Sequence, residues 1–193
     1  MVNLCTFSPR SFWMSVLSAD DYGFCFRCID QATVISAAKN RVFPSVYAYS
    51  FDRTYGGYEA IPHTCTPPTS PQFPNGDPSL PYFRCHSGEL YYMFGTLGQD
   101  LKPFRDANDL LLSQVSVDAW SAFARSYNPN PSLAYLTARG YTSTLEVLQK
   151  QGTWGSVTSQ RPLRVFDAPF YNDAWREVAQ CNLLGYPQTM FDV

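Results

Sequence analysis

The spacing of apolar positions along the chain predicts a short list of elements. Asp30 to Asn40 sets small and apolar residues on one side and opens on an acid that complements the positive end of a helix dipole, so it predicts a helix. Val42 to Phe51 is the strongest strand pattern. β-Branched and aromatic residues dominate it, and Val46 to Tyr49 is apolar at nearly every position, as in a strand buried on both faces, with Pro44 at its entry. Glu89 to Phe94 begins a further helix. From Ala107 to Tyr127 the residues Leu110, Leu111, Val115, Val117, Trp120 and Phe123 recur near the 3.6 period, and Asn128-Pro129 ends that helix. Leu133 to Gln151 is polar and mixed; it reads as surface with a short helix from Thr144 to Lys150. Leu163 to Asp167 predicts a short alternating strand, and Asn172 to Leu184 a closing amphipathic helix with Gly185 at its C-cap.

Between the first strand and the histidine segment, Thr54 to Tyr82 is a loop punctuated by Gly56-Gly57, Pro67-Pro68, Pro71, Pro74, Asn75-Gly76, Pro78 and Pro81. A structureless span of that length inside a compact domain is uncommon and often functional. The chain has 193 residues, with 45% hydrophobic and 16% charged, which supports one folded domain rather than disorder. A net charge of −2 favours neither nucleic acid nor an anionic membrane surface as a partner. No apolar run approaches the ~18 residues of a transmembrane helix, so no transmembrane segment is expected. Met1 to Ala19 differs in composition from the rest of the chain. Its Phe12 to Leu17 stretch is weakly signal-like, and residues 1–19 read as a leader, either a signal remnant or a mis-predicted start.

Six cysteines form an even set. Cys25-Phe26-Arg27-Cys28 is a CxxC, but no second CxxC completes a zinc site and no clear strand-to-helix context makes it a redox pair. Structural disulfides in an oxidising compartment are the simpler reading, and no metal or cofactor is expected. Of the two histidines, His63 reads as an ordinary loop residue, whereas His86 lies where the long loop meets the helix of Cys85-His86-Ser87-Gly88-Glu89-Leu90-Tyr91-Tyr92-Met93-Phe94-Gly95. A lone histidine is structural by default; the junction makes this one a candidate, because rigidly placed loops carry function disproportionately.

That segment, together with Val46 to Arg53 and with Trp120-Ser121-Ala122-Phe123-Ala124-Arg125 followed by Asn128-Pro129-Asn130-Pro131, resembles the C-terminal part of a type-B carboxylesterase, the lipase and cholinesterase-like branch of the α/β-hydrolases, in wording of a fungal kind. The resemblance implies an α/β fold class: the C-terminal part of an α/β-hydrolase fold, with the last sheet strands, packing helices and an incomplete central sheet, over residues 20–193. It implies that His86 is the triad base and that Glu89 is a helix-capping residue or a group supporting the histidine. Ser87 departs from the pattern, since the residue after the histidine is commonly glycine in that family; here Gly88 follows one place later. The Tyr91 to Phe94 run reads as core, with one of its residues able to border an acyl pocket. By position in the family, Cys28 pairs with Cys181; from their places near the two ends of the long loop, Cys65 pairs with Cys85, leaving Cys5 and Cys25 unpaired or misannotated.

Ester hydrolysis in this architecture needs a serine on a G-x-S-x-G elbow, an acid, a histidine and an oxyanion hole. The chain contains neither G-x-S-x-G nor an HGGG-like stretch, and too few residues precede His86 for Asp20, Asp21, Asp30 or Asp52 to match the family's acid. The expectation is therefore a carboxylic ester hydrolase fragment, secreted, inactive alone, whose full-length parent takes a small-molecule ester or lipid without a cofactor. The rival expectations are a non-catalytic cholinesterase-like binding or adhesion module and a truncated gene product. A Cys65–Cys85 bridge would close a loop of about 20 residues and stabilise the domain by roughly 3 kcal/mol on the chain-entropy model. Cys85→Ser is accordingly expected to lower the melting temperature and expose a reactive Cys65 thiol; an unchanged melt with Cys65 unreactive would count against the bridge.

Overall fold

The computed structural model describes residues 27–53, 65–74, 76–80, 82, 87–99, 104–158 and 162–191. It is a mixed α/β arrangement. In chain order the elements are α1 (Ile29–Lys39), β1 (Tyr49–Phe51), α2 (Leu90–Met93), α3 (Asn108–Ser126), α4 (Leu133–Arg139), α5 (Thr142–Gln151), β2 (Leu163–Phe166), β3 (Tyr171–Asp173) and α6 (Val178–Leu183). Among the described residues no helix is long and apolar enough to cross a membrane. The described part of the 54–82 loop contains neither helix nor strand. The chain divides into two compact units, one drawn from Met1–Ala48, Ser156–Leu163 and Ala174–Val193, the other from Tyr49–Gly155 and Arg164–Asp173.

The larger unit holds a three-stranded sheet in the order β1-β2-β3. β1 and β2 run parallel, with Tyr49, Ser50 and Phe51 opposite Arg164, Val165 and Phe166. Parallel neighbours require a long crossover, and here the chain passes through α2 to α5 between them. All four residues of β2 are buried, so the alternation expected for this strand is replaced by burial on both faces, Arg164 included. Phe166 is the hub of an aromatic cluster. Its ring lies 5.2 Å from Phe170, 5.3 Å from Trp120, 5.4 Å from Trp154, 5.9 Å from Tyr49 and 6.2 Å from Phe51, mostly edge to face. The β1 pattern is only partly realised. Arg41 turns left-handed after α1, residues 42–44 bend, and Val42 and Phe43 are exposed; only Tyr49 to Phe51 pairs as strand.

The bounds of α3 match the expected helix and its inner face matches in part, with Val115 buried and Trp120 packed on Phe166. Leu112, Ser113, Val115, Ser116, Ala119 and Ala122 face inward, while Leu110 is 56% and Phe123 44% exposed. Small side chains let α3 pack closely, so volume at the contact, not hydrophobicity alone, selects the inner face. Tyr127, left-handed at φ 57°, stops the helix ahead of Asn128-Pro129. Asn130 then acts as a backbone mimic: its Nδ2 donates to Trp154 O at 2.9 Å and its Oδ1 accepts from Trp154 N at 2.7 Å.

Leu133 to Gln151, expected as polar surface with one short helix from Thr144 to Lys150, holds that helix as the slightly longer α5 and a further one, α4. Ser132 caps α4 by accepting from Tyr135 N, and Gly140, at φ 73°, closes it. The wholly buried Leu136 and Thr144 anchor the pair, and Thr144 Oγ1 donates to the buried Asp118 of α3 at 2.5 Å. Burial pushes the Asp118 carboxyl above its ordinary value, against the opposing pull of this bond and of Arg125.

In the smaller unit Cys28, just before α1, forms a disulfide with Cys181 of α6, the pairing that the carboxylesterase resemblance implies. Closing a loop of 153 residues is worth about 5 kcal/mol on the chain-entropy model. Gln31 Nε2 donates to Arg176 O at 2.7 Å, and Ala48, Val157 and Leu163 form a small core with Val34, Ala38, Val46 and Trp175 against it. The closing helix is shorter than expected. Tyr171 to Asp173 is strand, and Glu177 at φ 60° leaves the helical region, so α6 cannot extend back to Asn172.

Phe166→Ala removes the hub of the aromatic cluster and is expected to cost about 3–5 kcal/mol in urea unfolding, against about 1 kcal/mol for Phe123→Ala on the exposed side of α3.

Candidate functional site

His86 and Cys85 lie outside the described residues, as do His63, Cys5 and Cys25; the description of the histidine segment starts at Ser87. Ser87 adopts φ 65°, a left-handed backbone that is uncommon outside glycine, asparagine and aspartate. This is the position at which the carboxylesterase pattern has glycine. Gly88 is buried, and Glu89 stands half-buried at the N-cap of α2 without a side-chain capping bond, so it is at the helix start but does not cap it. α2 then divides its side chains. Tyr92 and Met93 turn inward, whereas Leu90, Tyr91 and Phe94, with Ser87 and Thr96, line an open depression of about 430 Å³. Leu90 and the 75% exposed Phe94 make it mainly apolar, with the Ser87 and Thr96 hydroxyls on its wall.

A buried polar network holds α2 in place from below. Asp109, wholly buried at the start of α3, accepts from Arg53 Nε at 2.8 Å and Tyr92 OH at 2.9 Å through Oδ1, and from Arg105 N at 2.5 Å through Oδ2. Arg53, two residues beyond β1, also pairs with Asp106 at 2.8 Å. Ser113 Oγ donates to Tyr92 O at 3.1 Å, giving α2 a second tie to α3. Burial works against the Arg53 charge, but its bonds to Asp106 and Asp109 outweigh that and raise its pKa. Burial raises the Tyr92 hydroxyl, and the adjacent Asp109 carboxylate adds to the effect. Asp106 is pulled the other way: burial would raise it, yet its bonds to Arg53 and the Asn108 amide hold it below its ordinary value.

The Arg53 guanidinium and the Asp106 carboxylate stay charged and the Tyr92 hydroxyl stays protonated around neutrality, which suits a scaffold rather than a proton-transfer chain. Among the described residues no set of three His, Cys, Asp or Glu could hold a metal ion. Cys65 is wholly buried and disulfide-bonded, and no described cysteine is free.

Sequence reasoning identified the histidine segment and treated Tyr92 as core, but it missed Asp109 and Arg53 as the groups that hold it. The usable signal was a charged residue, Asp109, inside the first turn of a helix facing the tyrosine run, and an arginine directly after a buried strand. No family model matches the chain, and no curated protein matches it.

Asp109→Ala takes one of two carboxylates from the buried Arg53 guanidinium and a charged acceptor from the buried Tyr92 hydroxyl, and is expected to cost about 3–5 kcal/mol, whereas Tyr92→Phe, which leaves Asp109 its other donors, costs about 1 kcal/mol. Chemical denaturation of both variants tests the ranking; equal costs would show that the network is not centred on Asp109. Ser87→Gly relieves a left-handed serine worth about 1–2 kcal/mol and adds unfolded-state entropy worth about 0.4–1 kcal/mol. A net gain of about 0.5 kcal/mol is expected, with Ser87→Val destabilising in the same assay.

Proposed function

We propose that the chain is the histidine-bearing C-terminal part of a secreted type-B carboxylesterase of the α/β-hydrolase class, and that His86 is the general base for a serine nucleophile in the same hydrolase fold. The observation that carries this reading is the left-handed Ser87 directly after His86, at the mouth of an apolar depression and at the head of a firmly anchored helix. A family whose pattern has glycine at that position has a backbone that glycine accommodates without strain. The parallel pairing of β1 with β2 across intervening helices, and the Cys28–Cys181 bridge, also support it.

In this reading the serine hydroxyl attacks the ester carbonyl while His86 takes its proton. The histidine returns that proton to the leaving alcohol, then activates water to release the carboxylic acid. The reaction needs no metal. Leu90 and Phe94 suit the apolar part of a small ester or lipid, and Glu89 supports the turn that presents the histidine. Because the chain contains no G-x-S-x-G and has no assigned acid, residues 1–193 alone are expected to be inactive.

The exposed Leu90, Phe94, Leu110, Phe123 and Tyr127 favour a second reading, a non-catalytic cholinesterase-like binding module. A chimaera separates the two: residues 20–193 replace the matching part of an active type-B carboxylesterase, and turnover of p-nitrophenyl butyrate is measured. Ester hydrolysis is expected, and His86→Ala is expected to lower kcat by at least roughly 10⁴-fold. A folded chimaera without turnover, or one indifferent to His86→Ala, refutes the hydrolase reading and favours the binding module.

A further inference from the structure

Arg164 stands in the middle of the sheet with 3% of its surface exposed. Among the described residues only one of its three guanidinium nitrogens is engaged: Nη1 donates to Asn172 Oδ1 at 3.0 Å and, weakly, to Gln151 O at 3.5 Å. Asn172 Nδ2 donates to the same Gln151 carbonyl at 3.2 Å, so the three groups close a triangle in which both acceptors facing the guanidinium are neutral. The Phe170 ring lies 6.0 Å from Cζ. No carboxylate pairs with Arg164 among the described residues, in contrast to Arg53, which has two. Burial with no compensating acid pushes the Arg164 pKa down to about 10.

A buried guanidinium is normally retained with an anion, because desolvating the charge costs several kcal/mol that neutral acceptors only partly return. The Nε–Nη2 edge has no acceptor among the described residues, and two parallel N–H groups match the two oxygens of a planar carboxylate. Asn172 is exposed on β3, so the guanidinium lies one side chain below the surface.

We infer that Arg164 is the centre of a binding site for a small-molecule carboxylate, which takes the Nε–Nη2 edge while Asn172 and the Gln151 carbonyl hold Nη1 in orientation. The site is independent of the ester-hydrolase reading, since it involves neither His86 nor the depression beside Ser87.

The test is a thermal melt of the full chain in sodium acetate against sodium chloride at matched ionic strength and pH 7.5, with sodium phosphate as a third arm. At about tenfold excess over its Kd, acetate is expected to raise Tm by about 3–6 °C over chloride. Arg164→Lys, which keeps the charge but loses the fork, is expected to abolish that difference. Should the variant not fold, the Arg164 Nε–H resonance of the unmodified protein is followed through the acetate titration, where a saturable shift is expected. Identical melts in acetate and chloride, an unmoved Arg164 resonance, or a larger rise with phosphate than with acetate would each overturn the assignment.

Discussion

The larger unit depends on one buried carboxylate. Asp109 sits out of water, where an unpaired charge would cost several kcal/mol, so the fold must bring it donors. They arrive from separate parts of the chain: Arg53 from the end of β1, Tyr92 from α2 and the Arg105 amide from the turn before α3. Satisfying one acid therefore fixes the sheet edge, the short helix after His86 and the start of the long helix together. α2 has a single turn and little intrinsic stability, since nucleating so short a helix is unfavourable. Tertiary bonds supply what its length cannot, and the bond from Ser113 to the Tyr92 carbonyl adds to them.

Packing above that network follows a different rule. Aromatic rings converge on Phe166 from β1, α3, the 152–158 segment and the turn after β2, and their edge-to-face contacts tolerate few alternatives of position. α3 meets this surface with Trp120 and otherwise with a mostly small inner face. The larger residues of the same helix, Leu110 and Phe123, point outward, where the depression beside Ser87 and its rim of Leu90 and Phe94 also lie exposed. In the short stretch after His86, Tyr92 and Met93 are buried while Leu90 and Phe94 are exposed, and this gives the ester-hydrolase reading its physical setting.

Local chemistry was legible in the sequence wherever a residue acts on its own neighbours. The bounds of α1 and α3 followed from periodicity and the stop at Asn128-Pro129; the loop character of the described part of 54–82 followed from its prolines and glycines. α4 was missed although Ser132 and Gly140 mark its ends, because its only buried anchor, Leu136, carries too weak a periodic signal against a polar background. The closing helix is shorter than its pattern because Asn172 and Asp173 are compatible with helix until pairing along β2 claims them as strand.

What only the tertiary structure decided is which face of an element is inside and which charges meet. Periodicity reports that a helix has an apolar side, but Ser113, Ser116, Ala119 and Ala122 became the inner surface through closeness of packing, which no single helix encodes. In the same way Arg53, Tyr92 and Asp109 are ordinary residues when read along the chain. Their function as a unit exists only because distant segments share one desolvated acid, and the strength of that requirement depends on burial, a property of the folded state alone.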